Sequence, residues 1–158
     1  MRSPAGSRNY SHVRVYFLAL ALAPILVGQS RAEYAGGTAP RLRAGGPGSI
    51  RLDDDTYFAF YSSKAHVRVA YDQINLLEYG QQVSRRIALA VVISPMFLVA
   101  KSRKHFLTIG YRDEDGRQQA LVFRIDKTDI RSTLVALEAR TGLKVQYQDE
   151  EARKAGKG

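Results

Sequence analysis

Short stretches in which apolar and polar residues alternate run through the chain from residue 49 onward, and this period of two predicts β-strands. Residues 49–52 alternate, and Asp53, Asp54 and Asp55 then mark a turn. Across 56–61, Phe58 and Phe60 share one face while Tyr57, Ala59 and Tyr61 take the other. Residues 62–65 suit a hairpin connection. The alternation resumes over 66–71, with Val67, Val69 and Tyr71 opposite His66 and Arg68. Residues 74–79 predict a further strand, ended by Gly80. The most clearly marked hairpin joins 105–112 to 119–125 through Asp113, Glu114, Asp115 and Gly116, where glycine accepts a positive φ. Its Leu107, Ile109 and Tyr111 share a face and meet Leu121 and Phe123 across the ladder.

The period then changes. Ile130, Leu134 and Leu137 recur at helical spacing. Asp126 or Asp129 is placed to cap the N-terminus of that helix, Arg140 falls in its last turn, and Gly142 is placed to stop it in a left-handed conformation. Residues 143–147 add a short strand. Residues 148–158 are almost all charge, alanine and glycine, which predicts a disordered tail. No stretch repeats another. The pattern over 49–147 therefore predicts a mainly β domain of the α+β class, a small barrel or sandwich plugged by one C-terminal helix.

Residues 1–32 have a different character. Residues 1–14 are polar and carry only positive charge, and 15–27 form an uninterrupted apolar run of 13 residues with Pro24 near its end. Ser30 and Ala32 then stand as a small-x-small pair. Charged segment, apolar segment and small-residue site are the three parts of a secretory signal, here a signal helix cut between Ala32 and Glu33. An uncleaved anchor is the alternative, but the run is short of the roughly 20 residues needed to span a bilayer. The expected location is the periplasm or cell envelope of a bacterium. Residues 33–48 hold two Gly-Gly pairs and two prolines and predict a linker.

Charge and composition narrow the function. The formal charge is +9, but four of the 24 Lys and Arg lie within residues 1–32, which hold no acid, so the rest of the chain carries only +5. Acids interrupt nearly every basic cluster after that point, which argues against a nucleic-acid partner. Cysteine is absent, which excludes disulfides, thiolate metal sites and cysteine nucleophiles.

Three segments carry a resemblance: 69–80 (VAYDQINLLEYG), 103–111 (RKHFLTIGY) and 137–142 (LEARTG). Through them the chain resembles a group of small exported bacterial proteins of unknown function, and its order of strands and helix resembles the pleckstrin-homology-like fold. The resemblance covers about half of the chain after the leader. It implies a seven-stranded barrel closed at one end by a helix, and an export route. It implies no activity, because such barrels host lipid, peptide and protein sites alike.

One segment does not fit a soluble barrel. Residues 87–100 (IALAVVISPMFLVA) hold no charge, with Arg85 and Arg86 before them and Lys101, Arg103 and Lys104 after. As a helix, these 14 residues reach about 21 Å against a hydrocarbon core of about 30 Å. Three readings stand: a buried core element bent at Ser94 and Pro95, a transmembrane helix, or a shallow insertion kinked at Pro95. Strands on both sides of the run are expected in one sheet, and a single full crossing would part them. The expected membrane-contact residues are Arg85, Arg86, Ile87, Leu89, Val92, Pro95, Phe97, Leu98, Lys101, Arg103 and Lys104. The cations would meet anionic head groups, and the apolar residues would enter the bilayer.

Candidate chemistry is sparse. His66 and His105 lie in predicted strands as solvated or hydrogen-bonded side chains. The DEDG sequence at 113–116 resembles part of a calcium loop but lacks the later bidentate acid. No nucleophile elbow, phosphate-cradling glycine loop or paired-histidine motif is present. The expected function is a non-enzymatic, exported, membrane-associated binding or scaffold domain with no cofactor and no metal. Its partner is a membrane lipid or an envelope protein. The alternative is a soluble periplasmic ligand binder or small enzyme in which 87–100 is core.

Overall fold

A computed structural model describes residues 29–98 and 104–157. Its long strands are β1 (Gln29–Gly37), β2 (Gly46–Arg51), β3 (Tyr57–Ser62), β4 (His66–Ala70), β5 (Ile74–Gly80), β7 (His105–Arg112) and β8 (Gln118–Ile125). Two short strands, β6 (Val92–Ile93) and β9 (Gln146–Tyr147), join them. The helices are α1 (Arg85–Ala90), α2 (Pro95–Leu98), α3 (Ile130–Thr141) and α4 (Glu150–Lys157). The expected signal helix falls mostly on residues 1–28, outside the described set.

All strands belong to one sheet in the order β4-β3-β2-β1-β8-β7-β5-β9, with β6 added beside β1. Every pairing is antiparallel except that of β9 with β5. The expected hairpins form. Leu107 lies opposite Phe123 and Ile109 opposite Leu121, and Gly116 takes the left-handed conformation in the connecting turn. Across β3 and β4 the apolar faces also fall as the alternation predicts, with Phe58, Phe60 and Val69 buried and Tyr57, Tyr61, His66 and Arg68 exposed.

The sheet curls strongly. In a flat sheet, β3 and β8 would lie about 14 Å apart, three strand spacings. Yet the Phe60 and Phe123 rings are 4.9 Å apart and the Phe58 and Phe123 rings 5.7 Å. Their shared face encloses the main core, and α3 plugs it with Ile130, Leu134 and Leu137, all buried as their spacing predicts. Gly142 ends α3 at φ 71°, its N–H returning to the Glu138 carbonyl. Asp129 precedes α3 but does not cap it. Its carboxylate instead accepts from the Arg31 N–H at 3.1 Å, tying the helix to β1.

Three expectations need correction. The sheet does not close into a barrel. Between β4 and β5, which do not pair, the chain makes a 3₁₀ turn with Tyr71 buried, and α3 contacts that turn. Residues 33–48 are not a linker. They supply the second half of β1 and the start of β2, because small residues let the backbone be approached closely: Ala35 is fully buried, and a Cβ on Gly36 would overlap the Val92 carbonyl. Residues 148–157 of the expected disordered tail fold onto the body. Asp149 caps α4 by accepting from the Ala152 N–H at 2.6 Å, and Ala152 and Gly156 are buried against the body.

Candidate functional site

The apolar segment forms no single long helix. Ser84 starts α1, accepting from the Ile87 N–H in capping geometry, and α1 ends after six residues at the extended Val91. β6 follows and pairs with the end of β1, Ile93 opposite Gly36 and Val92 opposite Gly37. The Ser94 N–H donates to the Ala35 carbonyl at 3.1 Å, and α2 begins at Pro95. Among the described residues no helix is long and apolar enough to cross a membrane.

This segment lies on the outer face of the sheet. Ile87 and Ile93 are buried there with Ala35, Phe106 and Val122, in a second apolar cluster separate from the main core. Val91 also packs against this cluster, whereas other residues of the segment point the other way. Leu89 is 80% exposed, Val92 81% and Met96 54%, and Pro95 is also exposed. The segment is therefore two-sided, with isoleucines holding it to the sheet and an aliphatic set facing outward. A run of uniform hydropathy hides this division, because the inward and outward residues are equally apolar.

The flanking cations differ from one another. Arg85 is exposed. Arg86 reaches back over β5, its Nη2 donating to Glu78 Oε2 at 2.9 Å, and the Glu78 side chain is only 8% exposed. Gln148 Nε2 donates to the other oxygen of Glu78 at 3.1 Å. Arg86 thus neutralises a buried carboxylate as well as standing beside the apolar patch. Lys104 is half-buried, its N–H on the Gln81 carbonyl. Lys101 and Arg103 lie outside the described residues, as do the side chains of Phe97 and Leu98 in α2.

A groove of about 370 Å³ runs beside α1. Leu76, Ile87, Val91 and Ala120 give it apolar walls, and Gly110 opens its floor. Across Gly110, Asn75 and Gln118 exchange amide hydrogen bonds of 2.8 and 3.1 Å. A Cβ on Gly110 would crowd both amides, at 3.2 Å from each. The alternation pattern contained no signal for this groove, which depends on a missing side chain in β7 between two neighbouring strands.

The other candidate residues have structural partners. Asp54 accepts from the N–H groups of Thr56 and Tyr57, and these bonds hold its carboxyl below the usual range. Asp55 accepts from Arg140 of α3 at 2.9 Å. Asp113 organises its turn by accepting from the N–H groups of Asp115 and Arg117. His66 stacks on Tyr61. His105 is hydrogen-bonded through Nδ1 to the Tyr79 hydroxyl, and burial, with Lys127 nearby, lowers its pKa below the usual 6.5. Burial also pushes the Tyr79 hydroxyl up to about 12. Among the described residues no group of three His, Cys, Asp or Glu is arranged to hold a metal ion.

No model of a known protein family matches the chain, and no curated protein matches it.

Proposed function

We propose that this protein is an exported, non-enzymatic binding or scaffold domain of the bacterial envelope, held at a membrane surface by the α1–β6–α2 segment. The observation that carries the reading is the outward set of Leu89, Val92 and Met96 on an element that Ile87 and Ile93 fix to the sheet. Exposed aliphatic residues grouped beside cations suit shallow insertion among lipid head groups. Leu89 and Val92 each contribute about 1.5–3 kcal/mol on full burial, and an exposed cation such as Arg85 adds about 1 kcal/mol at an anionic surface. That total gives reversible binding, and an uncut leader would supply a second anchor.

The strand order supports a pleckstrin-homology-like reading of the fold. β1 to β4 pair in succession, β5, β7 and β8 do the same, β8 returns beside β1, and a helix follows to plug the core. Nothing in that arrangement specifies a ligand.

Vesicle co-sedimentation tests the membrane reading. The exported chain, purified from the envelope with its leader removed, should sediment with vesicles of phosphatidylglycerol and phosphatidylethanolamine. L89D/V92D should stay in the supernatant with an unchanged circular dichroism spectrum. Equal sedimentation of both proteins, or of neither, overturns the reading.

A second reading is favoured by the groove beside α1, whose volume lies within the range of small-molecule sites. On that reading the domain is a soluble periplasmic ligand binder, with Ile87 and Val91 as walls of its site. It predicts that L89D/V92D behaves as the parent does in every vesicle assay.

A further inference from the structure

The outer face of β2, β3 and β4 carries another cavity, of about 420 Å³, on a different part of the sheet from α1 and its groove. Its floor is Ala59. That residue lies opposite Arg51 of β2 on one side and Arg68 of β4 on the other, and its short side chain leaves a hollow between two long ones. Tyr61, two residues along β3, stands on the same face and is 45% exposed. Asp53 and Asp54, from the turn after β2, complete the lining. Neighbours outside the cavity hold these groups in place. The Arg68 guanidinium lies 4.3 Å over the Tyr57 ring, and His66 stacks on Tyr61. The Thr56 and Tyr57 N–H groups fix the Asp54 carboxylate, and Arg140 of α3 donates to the Asp54 carbonyl at 2.8 Å. Yet the two ion pairs of the cavity are long. Arg51 Nε stands 3.4 Å from Asp53 Oδ1, and Arg68 Nη2 stands 3.4 Å from Asp54 Oδ2, beyond the usual range of about 2.7–3.2 Å. Each pair can therefore take in a hydroxyl that accepts from the guanidinium and donates to the carboxylate.

We propose that this cavity binds a neutral sugar unit of an oligosaccharide. Charge selects the class. Two guanidiniums and two carboxylates line the cavity, so an anion drawn to Arg51 and Arg68 meets Asp53 and Asp54, and a cation meets the reverse. A sugar hydroxyl both donates and accepts, so it engages arginine and aspartate together and leaves neither charge unpaired. Tyr61 supplies the apolar half of the site, a flat wall for the C–H face of a pyranose ring. A bulkier floor than Ala59 would fill the space that the ring needs. The volume lies within the range of small-molecule sites, about 300–1,000 Å³. The inference does not rest on the membrane reading, since Leu89, Val92 and Met96 do not line this cavity.

The test is a proton–nitrogen NMR titration of the purified protein with three neutral trisaccharides, maltotriose, cellotriose and triacetylchitotriose, each at millimolar concentration. At least one should give saturable shifts centred on the amides of Arg51, Ala59, Tyr61 and Arg68. Tyr61→Ala and Asp53→Ala should each weaken that binding about tenfold, with an unchanged circular dichroism spectrum, because both side chains are largely exposed. L89D/V92D should bind the sugar as the parent does. Saturable shifts centred on Asn75 and Gln118 instead would put the sugar in the groove beside α1 and overturn the proposal. Shifts at Arg51 and Arg68 with inorganic phosphate, and none with sugar, would make this an anion site and also overturn it. The absence of a saturable shift with all three sugars overturns it and leaves the membrane reading standing. Equal affinity in Tyr61→Ala and the parent removes Tyr61 as a wall of the site and with it the proposal.

Discussion

Arg86 of α1 and Glu78 of β5 meet at 2.9 Å, with the carboxylate buried and the guanidinium largely in solvent. The asymmetry decides what each mutation does. Removing the arginine leaves a buried carboxylate that, among the described residues, keeps the Gln148 amide as its side-chain partner, whereas removing the carboxylate leaves an arginine that water already solvates. Arg86→Ala should therefore destabilise the fold by about 1–3 kcal/mol, discounted from fully buried pairs for the exposure of Arg86. Glu78→Gln should cost less, and Arg86→Ala should cost little in its presence. Urea unfolding of the three variants checks this. Equal losses for the two single variants would show that the burial of Glu78 is not what sets the cost.

Gly36 sets how closely β6 lies on β1. A Cβ there would overlap the Val92 carbonyl and sit 2.8 Å from the Ile93 Cα, both backbone atoms that a rotamer change cannot move. Gly36→Ala should lift β6, uncover Ile93 and Ala35, and cost about 1–3 kcal/mol. Hydrogen exchange should speed up at Val92 and Ser94, while the β7–β8 hairpin keeps its protection. Uniform loss of protection would mean that β6 and the main core unfold as one unit.

These two sites mark how far the sequence could be read in advance. The β7–β8 hairpin and α3 were legible because their information is local: a period, a turn glycine at 116 and a stop glycine at 142. β1 was not, because Ala35, Gly36 and Gly37 matter for the backbone that approaches them, and such approach leaves no period. The apolar run was legible as unusual but not as two-sided, since Ile87 and Leu89 differ only in where the fold points them. α4 was hidden in the same way. Its buried residues are Ala152 and Gly156, which carry almost no hydrophobic signal and pack because they are small.

His105 should make stability depend on pH on the acid side. Its pKa is lowered in the folded protein by burial and by Lys127, so the unfolded chain binds the proton more readily. The stabilisation is complete above the unfolded value of 6.5 and is lost as pH falls through the folded value. In the tautomer that carries its proton on Nε2, the neutral ring accepts the Tyr79 hydroxyl at Nδ1, and protonation removes that acceptor. Unfolding midpoints in urea should fall from pH 7.5 to pH 5, with a shallower fall in His105→Gln. Identical slopes would remove His105 as the cause. Asp54, held low by the Thr56 and Tyr57 N–H groups, acts in a separate window below its usual 3.8.

On the alkaline side, the tyrosines report on α4. Burial pushes Tyr34, Tyr71 and Tyr79 each up to about 12 from 10.0. A raised phenol stabilises the fold below the unfolded pKa, and that contribution is lost as pH rises through the folded value. Gly156 of α4 packs beside Tyr79: a Cβ there would sit 3.3 Å from the Tyr79 ring and 2.6 Å from that of Tyr147. Deleting residues 150–158 should open Tyr79 to water, moving its ionisation back towards 10, while Tyr34 and Tyr71 still ionise near 12. Phenolate absorbance at 295 nm, followed from pH 9 to pH 13, should show one phenol fewer in the late phase. The same deletion should lower the thermal midpoint by several degrees, because Ala152 leaves the main core with the helix. An unchanged late phase would mean that α4 does not shield Tyr79 in solution. The order of loss carries the argument, since only an α4 that packs on the body links a C-terminal deletion to one particular buried phenol.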